Sequence, residues 1–569
     1  SHFDQTTCHF ERHRMRHLVS FSLLVPLILL SACGEKISEY DVSRADVAGA
    51  ESVFGLTMTD AEFDLMREDL AEQREAYTKL RDSLPPNSLR PALRFDPELL
   101  TGPAVTINKA GARWSAPEAI SRPADLNELA FASVGQLGHL IKTRQVSCVE
   151  LAELSLDRLR THDPQLHCVI TLLPKRALTR ARELDQMLAK GIHLGPLHGI
   201  PFGAKDLLAV AGAPTTWGAT PYQDQEFAET ATVVTSLEKS GAVLVAKLTL
   251  GALAWGDVWF GGMTRNPWNL EQGSSGSSAG SASAVSAGLV PFAIGTETLG
   301  SIVSPSTRCG VTGLRPTFGR VSRHGAMALS WSMDKIGPIA RSVEDCAMVF
   351  DAIRGRDLKD PTTVDRPFPF DGNRDLNGLR IGYLSGVFDE DYPGSELDNS
   401  ALDLLRAAGA DLVPMTLPVD ELGVDPYDIS FILSAEAGAA FQELALSGRD
   451  DELVRQVRYA WPNVFRAAQF IPAVEYIQAN RQRVELMAMM ARVFNEVDVY
   501  VTPSLVGRSL VITNLTGHPQ VVVPAGFIED NAPHSISFVG RLFDEATVMA
   551  VARAYEQAAD WHQKHPPGF

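Results

Sequence analysis

From about Leu126 onward the chain alternates short apolar runs, punctuated by Gly and Pro, with longer stretches of helical period. Val134, Leu137, Leu140 and Ile141 fall on one helical face. Ser147 stands where an N-cap would open a second helix, with Val149, Leu151, Leu154 and Leu159 on its apolar side, and a third runs from about Arg176 to Lys190. The apolar runs have strand length: 199–204 leading into Lys205, 242–246 after a helix containing Leu237, 293–295, 499–501 and 521–523. Strands that alternate with helices, and are apolar on both faces, must be covered on both sides. The expectation is therefore an α/β fold in layers, a mostly parallel or mixed central β-sheet flanked by helices, over residues 126–569.

Composition narrows the function. Of 569 residues, 45% are apolar and 21% charged, the profile of a folded protein. A net charge of −18 repels polyanions, so no nucleic-acid partner is expected. The six cysteines, at 8, 33, 148, 168, 309 and 346, are too scattered for a disulfide framework and form no zinc-spaced cluster. No metal and no cofactor are expected.

The N-terminus reads as an address. Residues 18–30 are LVSFSLLVPLILL, preceded by Arg12, Arg14 and Arg16 and followed by Ser31, Ala32 and Cys33. A basic flank, a short apolar stretch and small residues make an export signal, too short to span a bilayer comfortably. Leu30-Ser31-Ala32-Cys33 resembles a bacterial lipobox, which implies a signal peptide over 1–33, a lipid anchor on Cys33 and an extracytoplasmic location in the cell envelope. Met15 would open a compact basic region, leaving 1–14 as upstream sequence. Residues 34–125 are expected to form a polar tether over 34–58, a helical arm and a linker. The arm carries Phe63, Met66, Leu70, Tyr77, Leu80 and Leu84 on one face, with Thr59 and Glu62 as a capping box and Pro85-Pro86 as its stop. Such a helix could pack across the main domain or serve as a stalk or homodimer contact. Fewer than four heptads favour packing. Residues 86–125, rich in Pro, read as a linker along the domain surface.

Chemistry concentrates in three places. Residues 273–283, GSSGSSAGSAS, have the composition of a flexible linker, yet they join a turn with a bulky anchor (Asn266-Pro267-Trp268-Asn269) to a small-residue, helix-compatible stretch. Repeated Gly lets the backbone approach a substrate, and repeated Ser supplies hydroxyls that donate and accept protons. Next, Gly295-Thr296-Glu297-Thr298-Leu299-Gly300-Ser301-Ile302 passes from a strand into a tight turn ending in a serine. Such a turn can aim successive N–H groups at one spot. No GxSxG surrounds Ser301, and no convincing Ser-His-Asp set is present; His518, in a Gly/Pro-rich loop, reads as structural. The third place is Lys205-Asp206 at the end of an apolar run, where burial would lower the lysine's pKa.

These segments together resemble the amidase-signature hydrolases, from about Leu126 to the C-terminus. The resemblance is carried by 195–206 (GPLHGIPFGAKD), 277–281 (SSAGS), 298–302 (TLGSI), 310–317 (GVTGLRPT) and 514–519 (NLTGHP). It implies Ser301 as nucleophile, Ser277 as a bridging serine on a cis peptide bond, and Lys205 as base. It also implies an oxyanion hole from the backbone amides of Thr298, Leu299, Gly300 and Ser301, with Ser278 supporting the network. The implied activity is hydrolysis of a small-molecule amide or peptide amide. Three positions depart from the family's pattern: Leu299 stands for a glycine, Glu297 for an aspartate, and Val303 for an arginine whose charge Arg308 could supply from the next turn. Two other functions fit the same fold: a noncatalytic binding lipoprotein, and a glutamyl-tRNA amidotransferase A-like subunit. The substrate is hardly specified; Trp255, Trp259, Phe260, Trp461 and Phe465 would line an apolar pocket or pack in the core, and 360–473 is expected to cover the site.

Overall fold

A computed structural model describes residues 40–55, single positions between 59 and 74, residues 87 and 95–97, and residues 111–569 except 424 and 470. The chain divides into two units, Ser1–Ser83 and Leu84–Phe569. The export signal, Cys33 and the arm beyond 74 lie outside the described residues.

In the first unit, helix Arg44–Phe54 replaces part of the bare tether expected over 34–58. Its start is a capping box: Ser43 Oγ accepts from Asp46 N–H at 3.2 Å, and the Asp46 carboxylate accepts from Ser43 N–H at 3.0 Å. Gly55 ends it in the left-handed conformation. Polarity hid this helix, because only Val47 on it is buried. The described positions from 60 to 74 are helical, and Phe63 is buried beneath the Arg44 guanidinium.

In the second unit the described residues form one eleven-stranded mixed sheet. From edge to edge its strands are Val169–Leu172, Val243–Leu248, Pro201–Lys205, Phe292–Glu297, Lys335–Ala340, Thr312–Arg315, Gln520–Phe527, Pro533–Gly540, Val499–Pro503, Ile381–Leu384 and Leu412–Met415. Pro201–Lys205 lies parallel to both of its neighbours, whereas the central strands pair antiparallel. Every residue of Pro201–Lys205, Val243–Leu248 and Lys335–Ala340 is buried, as two-sided coverage by helices requires. The expected helices lie at Val134–Lys142, Cys148–Leu166 and Pro174–Ala189, the second opened by a Ser147/Glu150 capping box.

The Gly/Ser run is not a linker. Helix Ala279–Ser286 is buried along its whole length and packs against strand Phe292–Glu297. Small residues are required by proximity: a Cβ on Gly280 would stand 2.4 Å from Cys168 O and 2.5 Å from Thr249 N. Residues 111–125 run along the same unit, where Arg113 pairs with Asp371, Ser115 with Glu344 and Arg122 with Glu150. A second apolar cluster forms where helix Ala473–Glu496 meets Ser509–Thr516, and Leu299 packs against it.

Candidate active site

Strands Pro201–Lys205 and Phe292–Glu297 run parallel side by side, so their carboxyl ends open at the same edge of the sheet. That edge is where open α/β sheets place their ligands. Lys205 ends the first strand, and Thr296 and Glu297 end the second.

Lys205 is fully buried, and four oxygens surround its Nζ: Ser277 Oγ at 2.8 Å, Thr296 Oγ1 at 2.9 Å, Ser278 Oγ at 3.1 Å and Thr296 O at 3.4 Å. Burial pushes its pKa well below the ordinary lysine value, outweighing the opposite pull of the Asp334 and Glu297 carboxylates. A neutral amine keeps a lone pair, and a serine hydroxyl 2.8 Å away can donate into it. The adjacent Asp206 plays no part in this shell. Its carboxylate takes Lys247 Nζ at 2.6 Å and the Thr216 N–H and hydroxyl at 2.8 and 2.6 Å.

The Gly276–Ser277 peptide bond is cis. Ser278 ties the two chemistry-bearing segments together. Its N–H donates to Ser301 O at 3.1 Å, while its hydroxyl donates to Thr296 O and accepts from Thr296 N–H, both at 3.1 Å. Ser301 ends the turn after Phe292–Glu297 and is partly exposed. Its hydroxyl bonds to no described side chain, unlike those of Ser277 and Ser278.

The amides of the turn separate into two groups. Those of Ile302 and Val303 donate to Glu297 Oε2 at 2.8 and 3.0 Å. Those of Thr298, Leu299, Gly300 and Ser301 meet no protein acceptor among the described residues. Gly300 has φ +81°, a conformation that disfavours a side chain and reverses the backbone just before Ser301. N–H groups without a protein acceptor, successive along the chain and ending at a serine, are the type of donor an oxyanion hole uses. Leu299 leaves this arrangement intact, since its side chain packs on the second apolar cluster.

Arg315 supplies the charge expected from Arg308. Arg308 lies on the outer face of helix Val303–Cys309 and is exposed, whereas Arg315, fully buried, donates to Glu297 Oε1 at 2.7 Å. Asn514 Nδ2 donates to the same oxygen at 2.8 Å. Burial disfavours the Glu297 carboxylate, but Arg315, Asn514 and the Val303 N–H outweigh it and hold its pKa at about 2. His518 is structural, as expected: its carbonyl accepts from Arg315, its ring bonds Thr516, and burial followed by the Arg315 charge lowers its pKa to about 3.

Thr296, Arg315, Asn514 and Asp334 therefore join the site. Thr296, Arg315 and Asn514 lie within segments that the sequence singles out; Asp334 carries no pattern of its own. Of the aromatic candidates, Trp461 and Phe465 stack with each other in the core, and Trp461 Nε1 donates to Leu253 O at 2.8 Å. Trp255 lies under the Arg455 guanidinium, and Trp259 packs edge-on against Phe260.

Known proteins share this fold and much of this sequence. The Amidase family profile matches residues 150–510. The A-subunit of the glutamyl-tRNA(Gln) amidotransferase of Chloroflexus aggregans is 35% identical over 487 residues, spanning 78% of this chain and 99% of that protein. Among solved structures, the native peptide amidase of Stenotrophomonas maltophilia matches with a TM-score of 0.67 and 29% identity, over 78% of this chain and 99% of its own. The corresponding amidotransferase A-subunit of Thermotoga maritima matches with a TM-score of 0.64 and 28% identity, over 77% of this chain and 96% of its own.

Proposed function

The chain belongs to the Amidase family, and on that premise we propose that it hydrolyses linear carboxylic amides through an acyl-enzyme on Ser301, releasing ammonia or an amine. The observation that carries this reading is the 2.8 Å contact between a buried Lys205 Nζ and Ser277 Oγ, set at the strand ends that also hold the free amides of 298–301.

A serine hydroxyl is a weak nucleophile and must lose its proton as it attacks. In the proposed path Ser301 Oγ adds to the carbonyl carbon while its proton passes to Ser277 Oγ and the Ser277 proton passes to Lys205 Nζ. The carbonyl oxygen becomes an oxyanion, held by the amides of Thr298, Leu299, Gly300 and Ser301. Each such donor is worth about 3 kcal/mol. On collapse the C–N bond breaks, and the proton returns through Ser277 to the leaving nitrogen. Water then attacks the ester by the same relay and releases the carboxylic acid and Ser301. The test is a panel of primary amides, anilides and peptide amides given to the purified chain alone. Release of ammonia or amine supports the proposal, and inertness toward every amide contradicts it.

A second reading is favoured by one observation, the 35% identity to an amidotransferase A-subunit. It would make the chain a glutaminase-type component working with partners and tRNA. The −18 charge and the N-terminal export pattern favour the stand-alone hydrolase. Glutamine hydrolysis that appears only with added amidotransferase partners would decide for the second reading. We further propose that Cys33 anchors the protein by lipid at the outer side of a bacterial membrane, the tether keeping the catalytic domain in water.

A further inference from the structure

A chain of buried and half-buried polar groups runs from the oxyanion loop to the helices of the 427–496 region. Thr298 Oγ1 donates to Asp334 Oδ1 at 2.6 Å. The other Asp334 oxygen accepts from Leu329 N–H at 2.9 Å and Ser330 N–H at 3.0 Å, so this carboxylate both closes the 329–334 loop on itself and grips Thr298. The loop is held in turn by Glu436 of helix Phe431–Ala440. That carboxylate, 6% exposed, accepts from Ser330 Oγ at 2.7 Å, Ser332 N–H at 2.9 Å, Ser332 Oγ at 2.6 Å and Tyr476 OH at 2.9 Å. Arg483 of helix Ala473–Glu496 closes the clamp, donating to Ser332 O at 2.9 Å and Ser332 Oγ at 2.8 Å.

We propose that Asp334 and Glu436 are positioning residues that aim the oxyanion loop through Thr298, so that the helices of the 427–496 region set the geometry of catalysis. The proposal rests on the acyl-enzyme reading of Ser301. Residues 298–302 have no regular secondary structure to fix them. Glu297 holds the loop's far end at Ile302 and Val303, and Ser278 N–H holds Ser301 O. The near end has the Thr298 hydroxyl, whose partner is Asp334. An oxyanion donor acts only if it points at the place where charge develops, and a displacement of about 1 Å costs about 100-fold in rate. Neither acid touches the reacting atoms: Glu436 acts through the loop, and Asp334 acts through the loop by its bond to Thr298 and, separately, by its charge on Lys205.

The test is a set of conservative variants in the full chain, assayed on an amide the wild type hydrolyses. Thr298→Val keeps shape and N–H but removes the hydroxyl; it is expected to lower kcat by about 10- to 100-fold with KM within about twofold. Thr298→Ser, which keeps the hydroxyl, is expected to retain kcat within about threefold. Glu436→Gln, with a melting temperature near that of the wild type, is expected to lower kcat at constant KM. In a cycle of Thr298→Val with Asp334→Asn, each read on the high-pH plateau of its own kcat profile so that the charge of Asp334 on Lys205 does not enter, the double variant is expected to be no slower than the slower single, because both remove one link. Wild-type kcat in Thr298→Val, or losses that multiply in the double variant, overturns the proposal. A wild type that a fluorophosphonate never labels at Ser301 overturns the acyl-enzyme reading itself, and the two failures are thereby told apart.

Discussion

Glu297 and Arg315 form a fully buried ion pair of 2.7 Å, and the second Glu297 oxygen caps the two amides that follow Ser301. The pair couples strand Thr312–Arg315 to the 298–302 loop across the intervening strand Lys335–Ala340. A buried charge stripped of its partner costs about 3–5 kcal/mol. Arg315→Met is therefore expected to lower unfolding free energy by that order and to remove activity, as read by urea denaturation and turnover. The sign with pH follows from the carboxylate being held at about 2 when folded, against an ordinary 4.5. Its stabilising contribution is complete above the ordinary value and is lost as pH falls through 4.5 toward 2. Glu297→Gln is expected to flatten stability across that window.

In the proposed mechanism Lys205 is the base and must be neutral, and burial lowers its pKa. Activity should rise with pH through that lowered value and level off well below the ordinary lysine range. Lys205→Ala and Ser277→Ala should each cost orders of magnitude. A kcat/KM that rises only near the ordinary lysine pKa of about 10.4 would contradict the neutral-base role.

Leu299 tests whether a departure from the family's glycine matters to chemistry or to packing. Its side chain joins the second apolar cluster, while its N–H remains free. Leu299→Gly is expected to destabilise the fold by about 1–3 kcal/mol, through lost burial and added backbone freedom, yet to keep kcat within about tenfold. Thermal melts and turnover measured on the same preparation check both halves.

Five of the sheet's eleven strands, at 201–205, 243–248, 292–297, 499–503 and 520–527, are legible in the sequence because they hold short apolar runs; the other six carry no such run that the sequence singles out. Its flanking helices are legible because period and capping coincide, as at Ser147 and Glu150. Lys205, Ser277 and Ser301 stand out because each lies in a compact local motif. Arg315 lies in a motif too, 310–317, but nothing along the chain ties it to Glu297, and Arg308, nearer in sequence, draws attention in its place. Proximity along the chain is a poor guide once a helix turns one arginine outward and a sheet brings another in. The 273–283 segment shows the same limit at Gly280: flexibility and close packing call for the same small residues, and only the contacts with Cys168 and Thr249 distinguish them. Glu436 leaves no trace in sequence, since a carboxylate among serines far away along the chain has no period or spacing to read.

Cys33 lies outside the described residues, so the proposed anchor stands on sequence alone. Cys33→Ser, expressed in a bacterial host, is expected to move from the membrane to the soluble fraction, and labelled fatty acid is expected to enter only the wild type. More than one acyl chain is needed for stable attachment. A variant that still fractionates with membranes, with no label in the wild type, would rule out this location.

The proposed chemistry turns on Ser301 as the nucleophile of an acyl-enzyme. Intact mass and a peptide map of the protein after reaction with a fluorophosphonate probe address that role without intermediaries. A single adduct is expected on Ser301, absent in Ser301→Ala and strongly slowed in Lys205→Ala. An unmodified Ser301 in a folded wild type, or labelling that persists in Ser301→Ala, would contradict it.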